Sequence, residues 1–377
     1  MVFKRREALA RRRRMLGLSQ EDLAHALRVD RKTVARWESG ESQPHLWMRN
    51  DLAHCLRLTL EELDSVLLPS ELPAASGEPE RRPDLAEIAV SLDSLDSDYT
   101  TTPAVLLLAP VNTSLHDIAA RRIVSRAARE HRQLDALESR ARILLGQLLW
   151  DAAQRRSHEA AELQFNTAEE FAKRCGDPAL EARALLRHSY LALYGQANPG
   201  AGLALTQRAA DLARHVSPAI QALAELHAGE AHAMLRDKAA SHHRLTAGEQ
   251  ELARVDEFDP AFDLYSASAG PRLIGSSLIR LHDYTAALHA LEEAAATATP
   301  GSKTLAIVLA NIALTLARSG HADGAAARLA DAIDLIESTQ GAGALNVAFQ
   351  AGRELNRRDR SPATTDVVDR LMALVAG

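Results

Sequence analysis

The chain has 377 residues, of which 46% are hydrophobic, 25% charged and 4% aromatic, and its net charge is −6. This length suits two or three domains of roughly 100–200 residues each, and the low aromatic content argues against a β-sandwich or barrel. Two cysteines exclude a disulfide framework and a cysteine zinc site. No apolar run is long enough for a membrane helix, and the basic start lacks the apolar segment of a secretory signal. We therefore expect a cytoplasmic protein without a membrane partner.

Positive charge is concentrated at the start of the chain. Residues 1–70 contain 13 Lys+Arg and 10 Asp+Glu, a net charge of +3, whereas residues 71–377 contain 31 and 40, a net charge of −9. A charge run alone is typical of a solvated helix face. The asymmetry, however, indicates that the N-terminal part contacts a polyanion. Most of the excess lies in Lys4, Arg5, Arg6 and Arg11 to Arg14.

Two short helices are predicted between Ser19 and Gly40. Ser19 and Asp22 have the spacing of a capping box, in which each side chain binds the backbone of the other residue. Asp30 is the predicted cap of the next helix, and Gly40 is placed to end it in a left-handed C-cap. Because only residues 28–30 separate the two helices, they must cross steeply, as in a helix-turn-helix.

The second of these helices has an apolar face and a cationic face. Val34 and Trp37 lie three residues apart and are predicted to face the core. The opposite face carries Arg31, Lys32 and Arg36. Such a helix can enter the major groove of DNA, where the arginine fork matches the O6 and N7 atoms of guanine. Use of the same helix pair for a protein contact is the alternative interpretation.

Residues 17–63 (GLSQEDLAHALRVDRKTVARWESGESQPHLWMRNDLAHCLRLTLEEL) resemble the Xre/Cro-type, phage-repressor-like helix-turn-helix family. The matching features include LSQ at 18–20, LA at 23–24, Val29, TV at 33–34, WE at 37–38, Gly40, Pro44 and LEEL at 60–63. The resemblance implies a five-helix, lambda-repressor-like DNA-binding domain over residues 1–68. Asp30 departs from the pattern, because serine or threonine is common there. An acid still caps the helix but repels phosphate, so we exclude Asp30 from the contact set.

The family resemblance also implies the DNA contacts. Positions matching Arg31, Lys32 and Arg36 read bases in that family, and those matching Gln20 and Thr33 commonly meet DNA, often through phosphate. Operators of such domains are two-fold, so a homodimer on double-stranded DNA is expected. Leu27, Trp37 and Leu52 are predicted to be core residues only, and Cys55 is predicted to pack inside the same domain.

Residues 69–103 are predicted to be a flexible linker. Prolines and a glycine interrupt any regular element there, at Pro69, Pro73, Gly77, Pro79 and Pro83. At most one short helix is expected, near residues 85–95. The apolar run 104–111 is predicted to pack on the domain that follows.

Residues 104–377 are predicted to form a tetratricopeptide-like α-solenoid, so that the whole chain is all-α. Apolar residues recur at spacings of three and four between short loops. Residues 274–294 and 312–332 carry the small and large apolar residues of tetratricopeptide helix pairs, and residues 161–168 carry a weaker copy. First helices are predicted near Leu134, Pro178, Pro218, Pro260, Ser302 and Gly341, about 40 residues apart. An unrelated helical bundle is the alternative.

Stacked helix pairs leave a concave surface lined by first helices, and such surfaces bind extended ligands. Asn311 lies nine residues before Gly320, where tetratricopeptide repeats often place an asparagine that binds a peptide backbone. The same phase predicts further groove residues: His227, Glu230, Arg272, Ser276, Arg280 and Arg318. Each of these is also a candidate for an ordinary solvated or internally paired side chain.

Enzymatic motifs are not found in the sequence. HExxH, P-loop, GxSxG and dinucleotide fingerprints are missing, and the adjacent pair His242-His243 points in different directions on a helix. We therefore predict no enzyme activity, no cofactor and no metal. An enzyme fused to a regulator is the weakest alternative.

The sequence favours a nucleoid-associated transcription regulator that binds an operator as a dimer. The layout is similar to that of peptide-responsive helix-turn-helix regulators with tetratricopeptide repeats, which implies oligomerisation and binding of a peptide or small effector by the repeats. The alternative is a DNA-bound scaffold whose repeats recruit a partner protein without a small effector.

Overall fold

The computed structural model describes residues 7–16, 18–27, 29–42, 44, 48–56, 58, 63, 67, 83–154, 157–359 and 361–376. The chain divides into two compact units, Met1–Arg81 and Arg82–Gly377. Every regular element in the described ranges is helical. The prediction of an all-α protein is therefore confirmed.

The first unit contains four described helices. They are α1 (Glu7–Met15), α2 (Gln20–Ala26), α3 (Arg31–Ser39) and α4 (Arg49–Leu56). The predicted fifth helix falls mostly on residues outside the described ones, as do Lys4, Arg5 and Arg6. Leu63 and Leu67, which are described, belong to the buried core of this unit.

The start and stop signals read from the sequence are confirmed. Ser19 accepts a hydrogen bond from the Asp22 amide at 3.1 Å, and the Asp22 carboxylate accepts one from the Ser19 amide at 2.7 Å. Asp30 caps α3, and Gly40 ends it with φ +82°. A side chain at Gly40 would be strained, because this left-handed conformation disfavours a Cβ.

The core of the first unit forms where the helices meet. Leu23, Val34 and Leu52 are fully buried, and Trp37 is nearly so. Leu27 is buried as predicted, while Cys55 is half-buried and packs against the same core. The apolar side of α3 is thereby fixed, which orients its opposite side outward.

The second unit is a row of antiparallel helix pairs. It begins with α5 (Leu85–Asp98) and α6 (Ala104–Val124). The six further pairs of the described ranges are α7 (Ala128–Ala152) and α8 (Glu159–Cys175), α9 (Pro178–Tyr190) and α10 (Pro199–Ala213), α11 (Pro218–Met234) and α12 (Lys238–Leu252), α13 (Ala269–Arg280) and α14 (Tyr284–Thr297), α15 (Lys303–Ser319) and α16 (Ala322–Thr339), and α17 (Ala342–Arg358) and α18 (Pro362–Ala376).

The packing within this row is that of an α-solenoid. Each first helix packs on its own second helix and on the first helix of the next pair. Close approach within a pair recurs with the same chemistry: a Cβ on Gly229 would lie 2.7 Å from Leu245, and one on Gly275 would lie 2.5 Å from Leu291. The expectation that small residues in the first helix admit a large apolar residue from the second is confirmed.

Two sequence predictions about the boundaries of elements differ from the structure. Residues 83–103 are part of the second unit rather than of a linker, because Ile88, Leu92 and Leu95 form a buried stripe on α5. The predicted linker residues 69–82 lie outside the described ones.

The pair α13/α14 begins later than predicted, at Ala269 rather than near Pro260. Asp259 explains the difference. Its carboxylate is buried and accepts hydrogen bonds from the Ser217 hydroxyl at 2.6 Å and the Ala219 amide at 2.8 Å. Asp259 therefore ties the loop to the start of α11 instead of starting a helix.

The row of pairs closes on itself through Lys303, the first residue of α15. Its backbone amide donates to the Thr100 carbonyl at 2.9 Å. Its ammonium lies 3.1 Å from the Asp151 carboxylate of α7 and 4.2 Å from the centre of the Tyr99 ring. Helix α17 also contacts α7. The last two pairs of the row therefore meet the first two, and the concave side becomes a cavity of about 820 Å³.

Candidate DNA-binding face and repeat-domain cavity

Helix α3 presents the predicted cations to solvent. Arg31, Lys32 and Arg36 are exposed, and Thr33 is half-buried. The Asp30 carboxylate accepts a hydrogen bond from the Lys32 amide at 2.7 Å, which fixes the first turn of the helix. The exposed side of α3 is thus held by its cap and by the buried side chains behind it.

Gln20 is positioned by a buried ion pair. Its amide donates to Glu38 at 2.7 Å, and Glu38 also accepts from the Arg13 guanidinium at 2.7 Å. Arg13 and Glu38 are only 7% and 8% exposed. The sequence suggested that Arg13 belongs to a DNA-attracting basic run. The structure instead gives it a structural position between α1 and α3, which the local sequence could not reveal because the pair spans 25 residues.

Three of the five predicted DNA contacts line one depression of about 720 Å³ in the first unit: Gln20, Lys32 and Arg36. Exposed Arg14 lines it as well, so α1 adds a cation that the sequence had assigned only to general attraction. Arg31 and Thr33 are not part of this lining. Cationic side chains therefore lie together beside α2 and α3, the helix pair that the sequence predicted.

In the second unit, all seven predicted groove residues line the 820 Å³ cavity. They come from α11, α13 and α15, which are first helices, as the repeat phase required. The Asn311 amide donates to the Ile307 carbonyl of its own helix at 3.0 Å, so one of its N–H groups is already used. A role of these residues in ligand binding stays a prediction.

Sequence reasoning missed the contribution of α7, α9 and α17 to the same cavity, the last of which supplies Asn346 and Arg353. Gln147, Arg187, Tyr190 and Tyr194 line it. Tyr194 lies in a π-helical turn, Leu191–Gly195, that continues α9. Such a turn changes the angular position of a side chain relative to a regular helix, so helical phase alone did not place Tyr194.

A chain of hydrogen bonds runs along one wall of the cavity. The Tyr194 hydroxyl donates to Glu230 at 2.6 Å and lies 2.6 Å from Nδ1 of His227. Glu230 also accepts from the Arg280 guanidinium at 3.3 Å. Since the hydroxyl has one proton and gives it to Glu230, Nδ1 of His227 must carry the proton of the neutral imidazole.

Burial lowers the pKa of His227 well below its ordinary value near 6.5, and the nearby Arg272 and Arg187 guanidiniums lower it further. Burial likewise raises the pKa of Tyr194 well above 10.0, with the Glu230 carboxylate acting in the same direction. Both side chains are therefore neutral around pH 7, in a cavity that is otherwise rich in guanidinium groups.

The pH dependence of stability should report this buried histidine. Below pH 6.5 the unfolded chain binds a proton at position 227 that the folded chain does not, so the free energy of unfolding should fall by up to about 1.4 kcal/mol per pH unit. Above pH 6.5 His227 is neutral in both the folded and the unfolded chain, so this loss of stability is absent. Urea unfolding of the full chain at pH 7.5 and 5.5 measures the difference.

The His227→Gln variant should show a smaller loss of stability between those two pH values. His188, whose pKa is also lowered by burial, adds a loss of the same sign in both proteins and cancels in the comparison. Equal pH dependence in wild type and variant would contradict the assignment.

In the described part of the chain, no helix is long and apolar enough to cross a membrane. No group of three or more potential metal ligands occurs among those residues either.

Comparisons with known proteins bear on each unit. Residues 9–63 match the Helix-turn-helix family model HTH_3. No curated protein sequence matches the chain. Among solved structures, the Rap protein complexed with Competence and Sporulation Factor is 14% identical, with a TM-score of 0.44, over 78% of this chain and 94% of that chain. PlcR of Bacillus thuringiensis, in complex with the peptide PapR7 and DNA, is 12% identical, with a TM-score of 0.36, over the same shares.

The helix-turn-helix match and the helix pairs of the second unit define the class of protein, a DNA-binding transcription regulator of the helix-turn-helix type with a helical-repeat domain. Within it, residues 9–63 are the Xre/Cro-type domain that the sequence motifs indicated.

Proposed function

We propose that the protein is a sequence-specific regulator that binds an operator as a homodimer, and that its repeat domain mediates dimerisation and binds a peptide or small effector. The observation that carries the first part is α3, whose cations are exposed while its other face is locked into the core. Because the target is chromosomal DNA, the protein would act in the cytoplasm at the nucleoid.

In this proposal Arg31, Lys32 and Arg36 contact base edges in the major groove, and Gln20 and Thr33 contact phosphates. The Glu38 bond supports the role of Gln20, because it holds the side chain at the N-terminus of α2. A helix N-terminus with its free amides favours an anion. Two copies on a two-fold site would then double the contact set.

The second part of the proposal places an effector in the cavity, against Asn311, Arg272, Ser276, Arg280, Arg318, His227 and Glu230. Binding there would favour one of two dimer arrangements and so change the fraction of protein competent for DNA. The alternative is a scaffold that recruits a partner protein through the repeats. A continuous apolar groove would favour that alternative, whereas the cavity found here includes six arginines.

Replacing Arg36 by alanine should weaken specific DNA binding by about 1–3 kcal/mol and relax one base preference. The Arg36 guanidinium is exposed and makes only a 3.7 Å contact with exposed Glu41. The substitution should therefore change the free energy of unfolding very little. Binding of the full chain to selected and scrambled duplexes at fixed salt measures the effect.

Arg36→Lys is the matched control, because it keeps the charge but removes the planar fork. If Arg36 reads a guanine, lysine should restore affinity for all DNA but not the base preference. Full recovery of specificity by lysine would reassign Arg36 to phosphate, and unchanged operator affinity in Arg36→Ala would contradict its role.

A further inference from the structure

The cavity of the second unit is positively charged, whereas the unit as a whole is negatively charged. Residues 82–377 contain 30 Lys+Arg and 37 Asp+Glu, a net charge of −7. Yet the cavity is lined by six arginines and one acid, Glu230, an excess of five positive charges. The arginines are Arg187, Arg236, Arg272, Arg280, Arg318 and Arg353. Such a local reversal of sign attracts anions.

Two of these arginines have a buried N–H group without a hydrogen-bond partner among the described residues. Arg280 is paired with Glu230. No carboxylate among the described residues forms an ion pair with Arg187 or Arg272, and the Nε of each is buried without a hydrogen-bond partner. A buried guanidinium N–H without a partner is costly unless something else accepts its hydrogen bond.

The cavity also offers unused acceptors. His227 is 2% exposed, and its Nε2 has no partner among the described residues. Because Nδ1 carries the proton, Nε2 has a free lone pair and can only accept. The Oε1 atom of Gln147 is likewise buried without a partner and lines the cavity. Both atoms can therefore accept a hydrogen bond from an N–H or O–H group of a ligand.

Aromatic rings complete this end of the cavity. The Tyr190 ring lies 4.2 Å from the His227 ring, and the Arg187 guanidinium lies 5.4 Å from the centre of Tyr190. Tyr194 and Phe165 line the cavity beside them. Flat rings of this kind pack against an apolar or planar group.

We propose that Arg187, Arg272, His227 and Gln147 form an anion subsite for a carboxylate or phosphate that is joined to an N–H or O–H donor and to a flat apolar group. Arg187 and Arg272 bind the anion, Nε2 of His227 and Oε1 of Gln147 accept from the donor, and the rings of Tyr190 and Tyr194 contact the flat group. This subsite specifies the chemistry of the effector proposed above. Its ability to bind the anion does not depend on that proposal, but its effect on DNA binding does.

The experiment titrates the full chain calorimetrically with three probes. Hippurate supplies a carboxylate, an adjacent N–H and a ring, its phosphonate analogue benzamidomethylphosphonate supplies the phosphate alternative with the same N–H and ring, and hippuramide is the neutral control. We expect at least one of the two anions to bind about tenfold to a hundredfold more tightly than hippuramide, as for one charge-assisted hydrogen bond. Whichever anion binds more tightly identifies the source as carboxylate or phosphate.

Arg187→Gln and Arg272→Gln should each weaken binding of the preferred anion by about the same factor. Arg328→Gln is the matched control, because Arg328 is exposed on α16 and pairs with Asp331 outside the cavity. Without ligand, the two cavity variants should melt no earlier than wild type, since each removes a half-buried guanidinium whose Nε–H is buried without a hydrogen-bond partner. If Arg187 and Arg272 had a purely structural role, the ligand-free variants would instead melt at a lower temperature than wild type.

Equal binding of the anions and hippuramide, or cavity variants that bind like Arg328→Gln, would overturn the subsite. Cavity variants that melt earlier than wild type without ligand would also count against it. DNA binding is measured separately with and without the preferred anion. If the anion binds at the subsite but leaves operator affinity unchanged, the subsite stands and the effector role fails.

Discussion

Replacing Glu38 with alanine should destabilise the first unit by about 3–5 kcal/mol, because it leaves the Arg13 guanidinium buried and unpaired. Folded domains are stable by only about 5–15 kcal/mol in total. The same change releases Gln20, which loses its 2.7 Å bond to Glu38. We therefore expect loss of both stability and DNA binding, measured by urea unfolding of the full chain and by operator titration.

Glu41→Ala is the control for this change. It also removes a glutamate that contacts an arginine, but the contact is exposed and 3.7 Å long, so the cost should stay below about 1 kcal/mol. Replacing Arg13 and Glu38 together by methionines should cost less than Glu38→Ala, since no buried charge remains. A Glu38→Ala cost as small as that of Glu41→Ala would show that Arg13 finds water or another partner.

The second large effect is expected at the closure of the repeat row. Lys303→Met should destabilise the second unit by about 3–5 kcal/mol, because the Asp151 carboxylate, 3% exposed, loses its ammonium partner. The Tyr99 ring loses the cation above it at the same time. Urea unfolding gives the cost, and amide hydrogen exchange should show faster opening at the N-termini of α6 and α15 than elsewhere in the unit.

Lys173→Met provides the comparison. Lys173 pairs with Glu169 within α8, but its side chain is half exposed, so its loss should cost at most about 0.5 kcal/mol. The double change Lys303→Met with Asp151→Leu should recover part of the stability. If Lys303→Met costs no more than Lys173→Met, the closure depends on the helix contacts and not on the ion pair.

Features that depend on neighbouring residues could be predicted from the sequence. The caps at Ser19, Asp30 and Gly40 involve residues two to four apart, and each is found as expected. The solenoid followed from a repeat of small and large apolar residues, and its phase placed seven side chains on one cavity. Local chemistry and periodicity were sufficient for these features.

Features that depend on distant residues could not be predicted. The pairs Arg13–Glu38 and Lys303–Asp151 join residues 25 and 152 positions apart. A helix was predicted to begin near Pro260, but the preceding Asp259 serves instead as a hydrogen-bond partner of α11. The π-helical turn after α9 shifted Tyr194 away from the regular phase. Sequence reasoning therefore found the part of the cavity built by α11, α13 and α15 and missed the parts built by α7, α9 and α17.

The Lys303 closure has a consequence for how the second unit melts. In an open repeat array each module touches only its sequence neighbours, so the terminal modules fray first and the array behaves as a one-dimensional chain. Here the first two helix pairs also contact the last two. Because the two ends of the row contact each other, loss of structure at one end also destabilises the other. The helix pairs are therefore expected to unfold together rather than one after another from the ends.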